Sequence, residues 1–297
     1  DLDGDGVPDL AVGARRDENT GSGGEGAVYI LNLAPLNTAP VVDLDGTGGT
    51  ADFTAAFVED AGAVNITDTD ATVTDAENTA LTNLKLVVNA NPDGSAESLT
   101  VGSVNVPLNA DKTANTGTIG GTVFQIGYVT STRTFTATVS SGTGAIADFQ
   151  TLLRGVTYNN SDDTPTTTNR TVTVTVNDGI VDSSAAVSTI TVASANDAPT
   201  ATNLSAAETY TEDTALNLTD IVVTDVDTAS VTVTLTLSDT DAGTLNTATS
   251  NAVTSTFVGG TGVWTASGAI ADVNTLLAGV TFTPALNFNS NFTIATS

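Results

Sequence analysis

The sequence predicts an all-β protein made of two tandem antiparallel β-sandwich modules behind an N-terminal loop and strand. Apolar residues make up 40% of the chain, and many segments alternate apolar with polar residues at a period of two. Turn sequences such as Asn177-Asp178-Gly179 separate these segments. The same order of segments occurs twice within the 297 residues, which indicates two copies of one module.

The predicted strands are clearest where Val or Leu alternates with Thr, as in residues 171–176 and 231–237. One stretch departs from this period. Ile146, Phe149 and Leu152 follow the spacing of one helix face. We therefore expect a short helix there, at one end of the first sandwich.

The repeat is most obvious in two segments, GAIADFQTLLRGVTY at 144–158 and GAIADVNTLLAGVTF at 268–282. Each copy also starts with an Asn-x-Ala-Pro sequence, at 37–40 and at 196–199. These matches predict three parts, which are a segment of residues 1–36, a module of residues 37–195 and a module of residues 196–297.

Acidic residues outnumber basic ones by 34 to 7, which gives a net charge of −27. So much negative charge disfavours nucleic acid and anionic membrane surfaces as partners. It favours divalent cations, because carboxylate oxygens suit calcium. No segment has the length and apolarity of a membrane span, so no membrane insertion is expected.

The chain has no His and no Cys. A Ser-His-Asp or Cys-His nucleophile, the usual zinc sites and disulfides are therefore excluded. Pairs of carboxylates such as Asp68 and Asp70, or Asp162 and Asp163, are expected by chance in so acidic a chain, and we predict that the protein is not an enzyme. There is no Met either, so we expect the sequence to be a piece of a longer precursor.

The most specific motif is the acidic loop at residues 1–9, DLDGDGVPD. Carboxylates at alternate positions converge when such a loop curls, and its two glycines permit the curl. We expect this loop to bind Ca²⁺ through the side chains of four aspartates and one carbonyl. The predicted ligands are Asp1, Asp3, Asp5, Val7 and Asp9.

Residues 1–14 and 26–30 resemble the FG-GAP repeat of integrin-α-type β-propellers. This resemblance implies a calcium-binding loop followed by strands. It covers about one blade, whereas a propeller needs about four to eight. The segment is therefore expected to be the tail of a propeller protein or a reused connector.

Both modules resemble bacterial cadherin-like repeats of surface adhesins, in their Asn-x-Ala-Pro starts, their Glu-Asp pairs and their later acidic pairs. The resemblance implies Ig-like sandwiches at the cell surface, with calcium held by acidic groups at the module junctions. Carried over by position, the implied ligands are Asn37, Glu59, Asp60, Asp75 and Glu77 in the first module, and Asn196, Asp197, Glu212, Asp213, Asp225 and Asp227 with Asp178 at the junction. The alternative is that these residues are solvated turn residues.

The second module lacks a counterpart of the last predicted strand of the first, at 185–192. Conversely, residues 26–33 form an apolar strand that belongs to neither module. We therefore expect donor-strand complementation, in which residues 26–33 of one copy complete the second module of the next. Such head-to-tail contacts do not close, so they generate a filament. The competing explanation is a sequence that simply continues.

Three functions remain open at this stage. The first is a calcium-stabilised extracellular filament subunit that assembles with copies of itself. The second is a stalk segment of a large bacterial repeat adhesin. The third is a carbohydrate-binding accessory module in which Trp264 stacks on a sugar, although a lone Trp in a sandwich is more often core. Glycans could also be attached at the Asn-x-Ser/Thr sequences, which start at Asn65, Asn159, Asn169, Asn203, Asn217 and Asn291.

Overall fold

The computed structural model describes residues 10–13, 28–31 and 37–297 of the chain. These residues form a predominantly β protein with several antiparallel sheets and few helices. The chain divides into two compact units, Asp1–Ala193 and Ser194–Ser297, and each is described by itself. The status of residues 1–36 as a separate segment stays a prediction.

A β-hairpin precedes the first predicted module. Its strands are β1 (Leu10–Gly13) and β2 (Val28–Leu31), which pair antiparallel with Leu10 opposite Leu31. The segment 26–33 was expected to be a strand without a partner in its own chain. Its central residues instead pair with β1, a strand that follows the predicted calcium loop. The predicted calcium loop at 1–9 lies outside the described residues.

Residues 37–193 of unit 1 contain thirteen strands and one α-helix. The strands are β3 (Val41–Asp43), β4 (Phe53–Val58), β5 (Val64–Asn65), β6 (Thr72–Thr74), β7 (Asn83–Val88), β8 (Glu97–Val101), β9 (Val104–Pro107), β10 (Lys112–Ile119), β11 (Thr122–Val129), β12 (Thr134–Ser141), β13 (Thr157–Asn160), β14 (Arg170–Asn177) and β15 (Ala186–Ala193), and the helix is α1 (Ile146–Arg154).

Unit 1 is built around two larger sheets. A seven-stranded sheet has the order β10-β11-β12-β7-β14-β15-β4, a four-stranded sheet has the order β5-β13-β8-β9, and β3 pairs with β6. The expectation of purely antiparallel sheets is wrong at one place, because β15 pairs parallel with β4. The two strands are far apart in the sequence, and no short turn joins them, so their direction is free to be parallel.

The core of unit 1 lies between the two larger sheets. Along β14 every second side chain is buried, and β15 has the same alternation. Buried residues from the seven-stranded sheet, such as Phe124, and from the four-stranded sheet, such as Leu99 and Tyr158, belong to one hydrophobic cluster. The period of two in the sequence thus places one face of each sheet against a shared core.

Helix α1 begins and ends where its apolar spacing predicts. It buries Phe149, Leu152 and Leu153 against this core. Gln150 on the same helix accepts a hydrogen bond from the backbone N–H of Val73 through Oε1, over 3.1 Å. The amide side chain therefore satisfies a donor of β6 as a neighbouring strand would.

Unit 2 contains eleven strands and one α-helix. The strands are β16 (Thr200–Ala201), β17 (Leu216–Asn217), β18 (Val223–Thr224), β19 (Ser230–Leu237), β20 (Gly243–Leu245), β21 (Thr249–Ser250), β22 (Val253–Thr254), β23 (Thr256–Val258), β24 (Val263–Ala269), β25 (Thr281–Pro284) and β26 (Ile294–Thr296), and the helix is α2 (Ile270–Ala278).

The sheets of unit 2 are smaller. One has the order β23-β24-β19-β26, a second has the order β17-β25-β20, and two further strand pairs are β16 with β18 and β21 with β22. Strand β26 is an edge of its sheet, whereas β14 in unit 1 continues into β15 and β4. Helix α2 repeats the role of α1, since Asn274 bonds both the N–H and the C=O of Val223 over 2.9 Å.

Candidate functional site

The acidic and amide residues at the start of unit 1 form what we call the Asn37 cluster, which consists of Asn37, Thr38, Asp75, Glu77, Asn78 and Asp178. Asp75 follows β6 and closes a tight turn. Its Oδ1 accepts hydrogen bonds from the backbone N–H of Glu77 over 3.0 Å and of Asn78 over 2.7 Å. This turn directs Glu77 to Thr38, whose N–H and hydroxyl both donate to Oε2.

Asp178 joins the Asn37 cluster from the turn between β14 and β15. Its Oδ1 accepts the N–H groups of Ile180 and Val181, and its Oδ2 accepts the side-chain amide of Asn37 over 2.8 Å. The N–H of Val181 and the amide of Asn37 hold the pKa of Asp178 below its usual value. The sequence placed Asp178 with the ligands of the module junction, whereas within unit 1 its partner is Asn37.

The same geometry recurs in unit 2, in the Asp197 cluster of Asn196, Asp197, Asp225, Asp227 and Thr228. Asp225 Oδ1 accepts the N–H of Asp227 over 3.0 Å and of Thr228 over 2.8 Å. Asp227 Oδ2 then accepts the N–H of Asp197 over 2.5 Å. The bond from Thr228 is the main reason that the pKa of Asp225 lies below its usual value.

The two predicted Glu-Asp pairs also repeat each other's backbone geometry. Asp60 has φ +61° and Asp213 has φ +58°, which is the left-handed region. Glu59 is only 4% exposed, and its N–H donates to the carbonyl of Ala193. Asp213 accepts the N–H of Asn287 through Oδ1. Both pairs therefore shape turns, whether or not they also bind an ion.

The side chains of these two clusters are of the types that bind calcium, but within each unit they are not arranged as a calcium site. Carboxylate and amide oxygens are its usual ligands. In the part of the chain that the structure describes, however, no three acidic side chains converge as a metal site would require. Among residues 10–13, 28–31 and 37–297, the acidic side chains of neither unit form a calcium cage by themselves, and the inter-module site stays a prediction.

A buried ionic network in unit 1 escaped the sequence analysis. Arg170 on β14 is fully buried, and it bonds Glu97 Oε1 over 2.5 Å and Asp93 Oδ2 over 2.7 Å. Tyr158 donates its hydroxyl to Glu97 over 2.9 Å. Burial raises the pKa of Glu97, although the bonds from Arg170 and Tyr158 oppose that effect. This network lies in the core, so its role is structural.

The remaining candidates from the sequence also have structural partners. Asp70 receives both the N–H and the hydroxyl of Thr47, and Asp162 receives those of Thr164. Trp264 is only 1% exposed, and its Nε1 donates to the carbonyl of Asn246 over 3.0 Å. It belongs to the core of unit 2 and is not available to stack on a sugar.

Comparison with known proteins gives one family match. Residues 1–31 match the model of the FG-GAP repeat. No curated protein matches the chain. FG-GAP repeats commonly bind calcium, which agrees with the acidic loop at 1–9.

Among solved structures, the chain is similar to the C-terminal domain of the Streptococcus agalactiae AgI/II polypeptide BspA, at 10% identity and a TM-score of 0.23, over 87% of this chain and all of that chain (100%). It is also similar to structures titled BspA_C_WT, with 10% identity, a TM-score of 0.25 and coverage of 88% and 100%, and BspA_C_mut, with 8% identity, a TM-score of 0.22 and coverage of 88% and 99%. TM-scores this low do not establish a shared fold. No helix in the described residues is long and apolar enough to cross a membrane.

Proposed function

We propose that this chain is a structural segment of an extracellular repeat protein, of the kind that forms the stalk of a bacterial surface adhesin. The observation that carries the proposal is the repetition of one β architecture within the chain, down to single contacts. The amide of Gln150 or Asn274 bonds the strand beside each helix, and Asp75 or Asp225 closes the same turn. Repeated modules of this kind extend a chain rather than build a single active centre.

We further infer that each unit is a cadherin-like sandwich module and that calcium stabilises the protein. The FG-GAP match at residues 1–31 and the net charge of −27 support calcium binding. In this proposal the ligands are the four aspartates and the Val7 carbonyl of the loop at 1–9. A bound cation would also reduce the repulsion between the carboxylates around it.

Calcium titration calorimetry on the full chain tests this proposal. We expect Asp3→Asn with Asp5→Asn to remove the binding heat. The matched control, Asp163→Asn with Asp241→Asn, changes the charge equally at two exposed residues of the two units and should bind as the parent does. A parent chain that releases no heat with Ca²⁺, or a control that loses as much heat as the loop variant, would reject the calcium site.

A head-to-tail filament is the second candidate, because unit 2 has an open sheet edge at β26. Residues 28–31 already pair with β1, so their donation to another copy would first require the hairpin to open. Because opening the hairpin would cost its hydrogen bonds, the stalk is our leading proposal. Sedimentation velocity with Ca²⁺ and with chelator distinguishes the two, since a stalk segment stays monomeric in both and a calcium-locked filament dissociates on chelation.

A further inference from the structure

The first and the last strand of the seven-stranded sheet along the chain, β4 and β15, lie side by side in unit 1. They pair parallel over six positions, from Phe53 opposite Ser188 to Val58 opposite Ala193. Any tension along the chain that passes through this sheet enters ahead of β4 and leaves after β15. These two strands therefore connect the incoming chain to the outgoing chain directly.

The parallel direction of this pair decides how tension loads its hydrogen bonds. A pull on Phe53 against Ala193 drives the two strands past each other along their length. The hydrogen bonds between strands run across the strand direction, so such a pull strains all of them at once. If β15 ran antiparallel to β4, the two pulled ends would be neighbours, and the bonds would break one after another.

A hydrogen bond closes the β4–β15 ladder at each of its ends. At the N-terminal end, Asp52 Oδ1 accepts the backbone N–H of Val187 over 2.7 Å, so a side chain takes the place of a strand carbonyl. At the C-terminal end, the N–H of Glu59 donates to the carbonyl of Ala193 over 3.0 Å. Separation of the strands from either end must therefore begin by breaking one of these bonds.

Strand β4 is also held by the core through its inward-facing side chains. Phe57 is 1% exposed and packs edge-on against Tyr158, with ring centroids 5.4 Å apart at 87°. Ala55, two residues earlier, is buried as well. Moving β4 sideways off the sheet would expose this apolar surface to water. The core therefore resists sideways movement of β4, and the ladder resists sliding.

The rest of the sheet lies outside this direct path. Among the described residues, β4 is an edge strand and pairs with β15 alone, so the other five strands of the sheet are bypassed. The segment ahead of β4 adds little resistance, because β3 pairs with β6 over only three positions. Once that short pair detaches, tension falls on the β4–β15 ladder.

We propose that the parallel β4–β15 pair is a mechanical clamp, which keeps unit 1 folded under tension along the chain and fails in a single step. While the ladder holds, the strands and helix between β4 and β15 carry little of the load. When it breaks, β4 loses its one strand partner and the unit unfolds. This inference goes beyond the stalk proposal, since resistance in one direction is a property of unit 1 in any role and needs no calcium.

Single-molecule force spectroscopy of the full chain tests the clamp by changing only the direction of pull. The chain has no Cys, so two introduced cysteines define the points of attachment. Ala51→Cys with Ser194→Cys pulls β4 and β15 past each other. The matched control, Ala61→Cys with Ser194→Cys, pulls on the two neighbouring C-terminal ends and peels the strands apart. All three positions are exposed, so both variants keep the same fold and the same ladder.

At equal loading rate, and in chelator, we expect the sliding geometry to unfold at roughly threefold higher force than the peeling geometry, because the six paired positions resist together rather than in turn. Each event should release roughly 450–500 Å of chain, the extended length between the attachment points, which identifies unit 1 as the part that unfolds. Equal forces in the two geometries would overturn the clamp. So would a sliding trace that releases this length in several small steps.

Discussion

One core position holds a buried ion pair in unit 1 and packed aromatic side chains in unit 2. Arg170 in unit 1 bonds Glu97 across the core. The strand registers show that Gly243 of unit 2 is equivalent to Glu97 of unit 1. They likewise make Phe292 of unit 2 equivalent to Arg170 of unit 1. Phe292 packs there against Phe282, with ring centroids 4.7 Å apart. The same core position therefore holds a buried ion pair in one unit and aromatic packing in the other.

The ion pair predicts a large effect when only one partner is removed. Arg170→Met should lower the free energy of unfolding of unit 1 by about 3–5 kcal/mol, because Glu97 would keep a buried charge without its partner. The double variant with Glu97→Gln should recover much of that loss. Hydrogen exchange of the β14 amides measures the change.

The single Trp provides the control for this experiment, because Trp264 reports on unit 2 alone. Its fluorescence transition in urea should not move in the Arg170→Met variant. A loss below about 1 kcal/mol in unit 1 would contradict the network, since that is the range of exposed ion pairs.

A pH prediction follows from the turn aspartates. Hydrogen bonds from backbone N–H groups depress the folded-state pKa of Asp178 and Asp225. Their stabilising contribution is therefore present above the usual Asp pKa and is lost as the pH falls through the depressed value. In an NMR titration, the amides of Val181 and Thr228 should shift with midpoints below about 3.9, the usual value for Asp. Midpoints at or above that value would show that the bonds are not maintained in solution.

Contacts between residues that are distant along the chain leave no local signal in the sequence. The Asn-Asp-Gly sequence predicts the turn at Asp178, and the resemblance implies a role at the module junction that stays a prediction, but neither indicates that Asp178 Oδ2 accepts a hydrogen bond from Asn37. Arg170 was missed entirely, because an arginine in an alternating strand gives no sign of burial. The Glu97 that balances it comes from the opposite sheet.

At the scale of the elements, each helix replaces a missing strand neighbour with a side-chain amide. Asn274 bonds both backbone groups of Val223, while Gln150 bonds only the N–H of Val73. These bonds fix the helices to β18 and β6, two short strands with few other partners. The helix positions in turn orient the turns at Asp75 and Asp225, which follow those strands.

We therefore expect Asn274→Ala to destabilise unit 2 by about 1–2 kcal/mol, because it leaves a backbone donor and acceptor without their partner. Its neighbour Thr275 is a matched control, since its hydroxyl bonds only Ala271 within the same helix. Thr275→Ala should change stability by less than about 0.5 kcal/mol. Trp264 fluorescence in urea measures both variants, and equal losses would refute the bridging role.

The elements themselves differ in how far the sequence predicts them. Helix α1 follows from Ile146, Phe149 and Leu152, because helical spacing is a local signal. The parallel pairing of β15 with β4 has no local signal, since periodicity fixes which side chains face inward but not the direction of a neighbour.

At the scale of the whole molecule, repulsion among the many carboxylates is offset by few attractive ion pairs, because only 7 basic residues accompany 34 acidic ones. The net charge is −27. Within residues 10–13, 28–31 and 37–297, the only ion pairs are the two that Arg170 forms, and both are buried. Added salt screens exposed charges far more than buried ones. It therefore weakens repulsion among the surface carboxylates without weakening a comparable set of attractive pairs.

This imbalance predicts that simple salt stabilises the protein. Raising NaCl from about 0.01 M to 0.15 M shortens the Debye length from about 30 Å to about 8 Å, and the Tm of both units should rise. Chelator in every sample separates this effect from calcium binding, and KCl should act as NaCl does. Circular dichroism follows the whole chain and Trp264 fluorescence follows unit 2. A Tm that falls with salt would mean that attractive surface pairs dominate, and the calcium proposal would then lose its electrostatic basis.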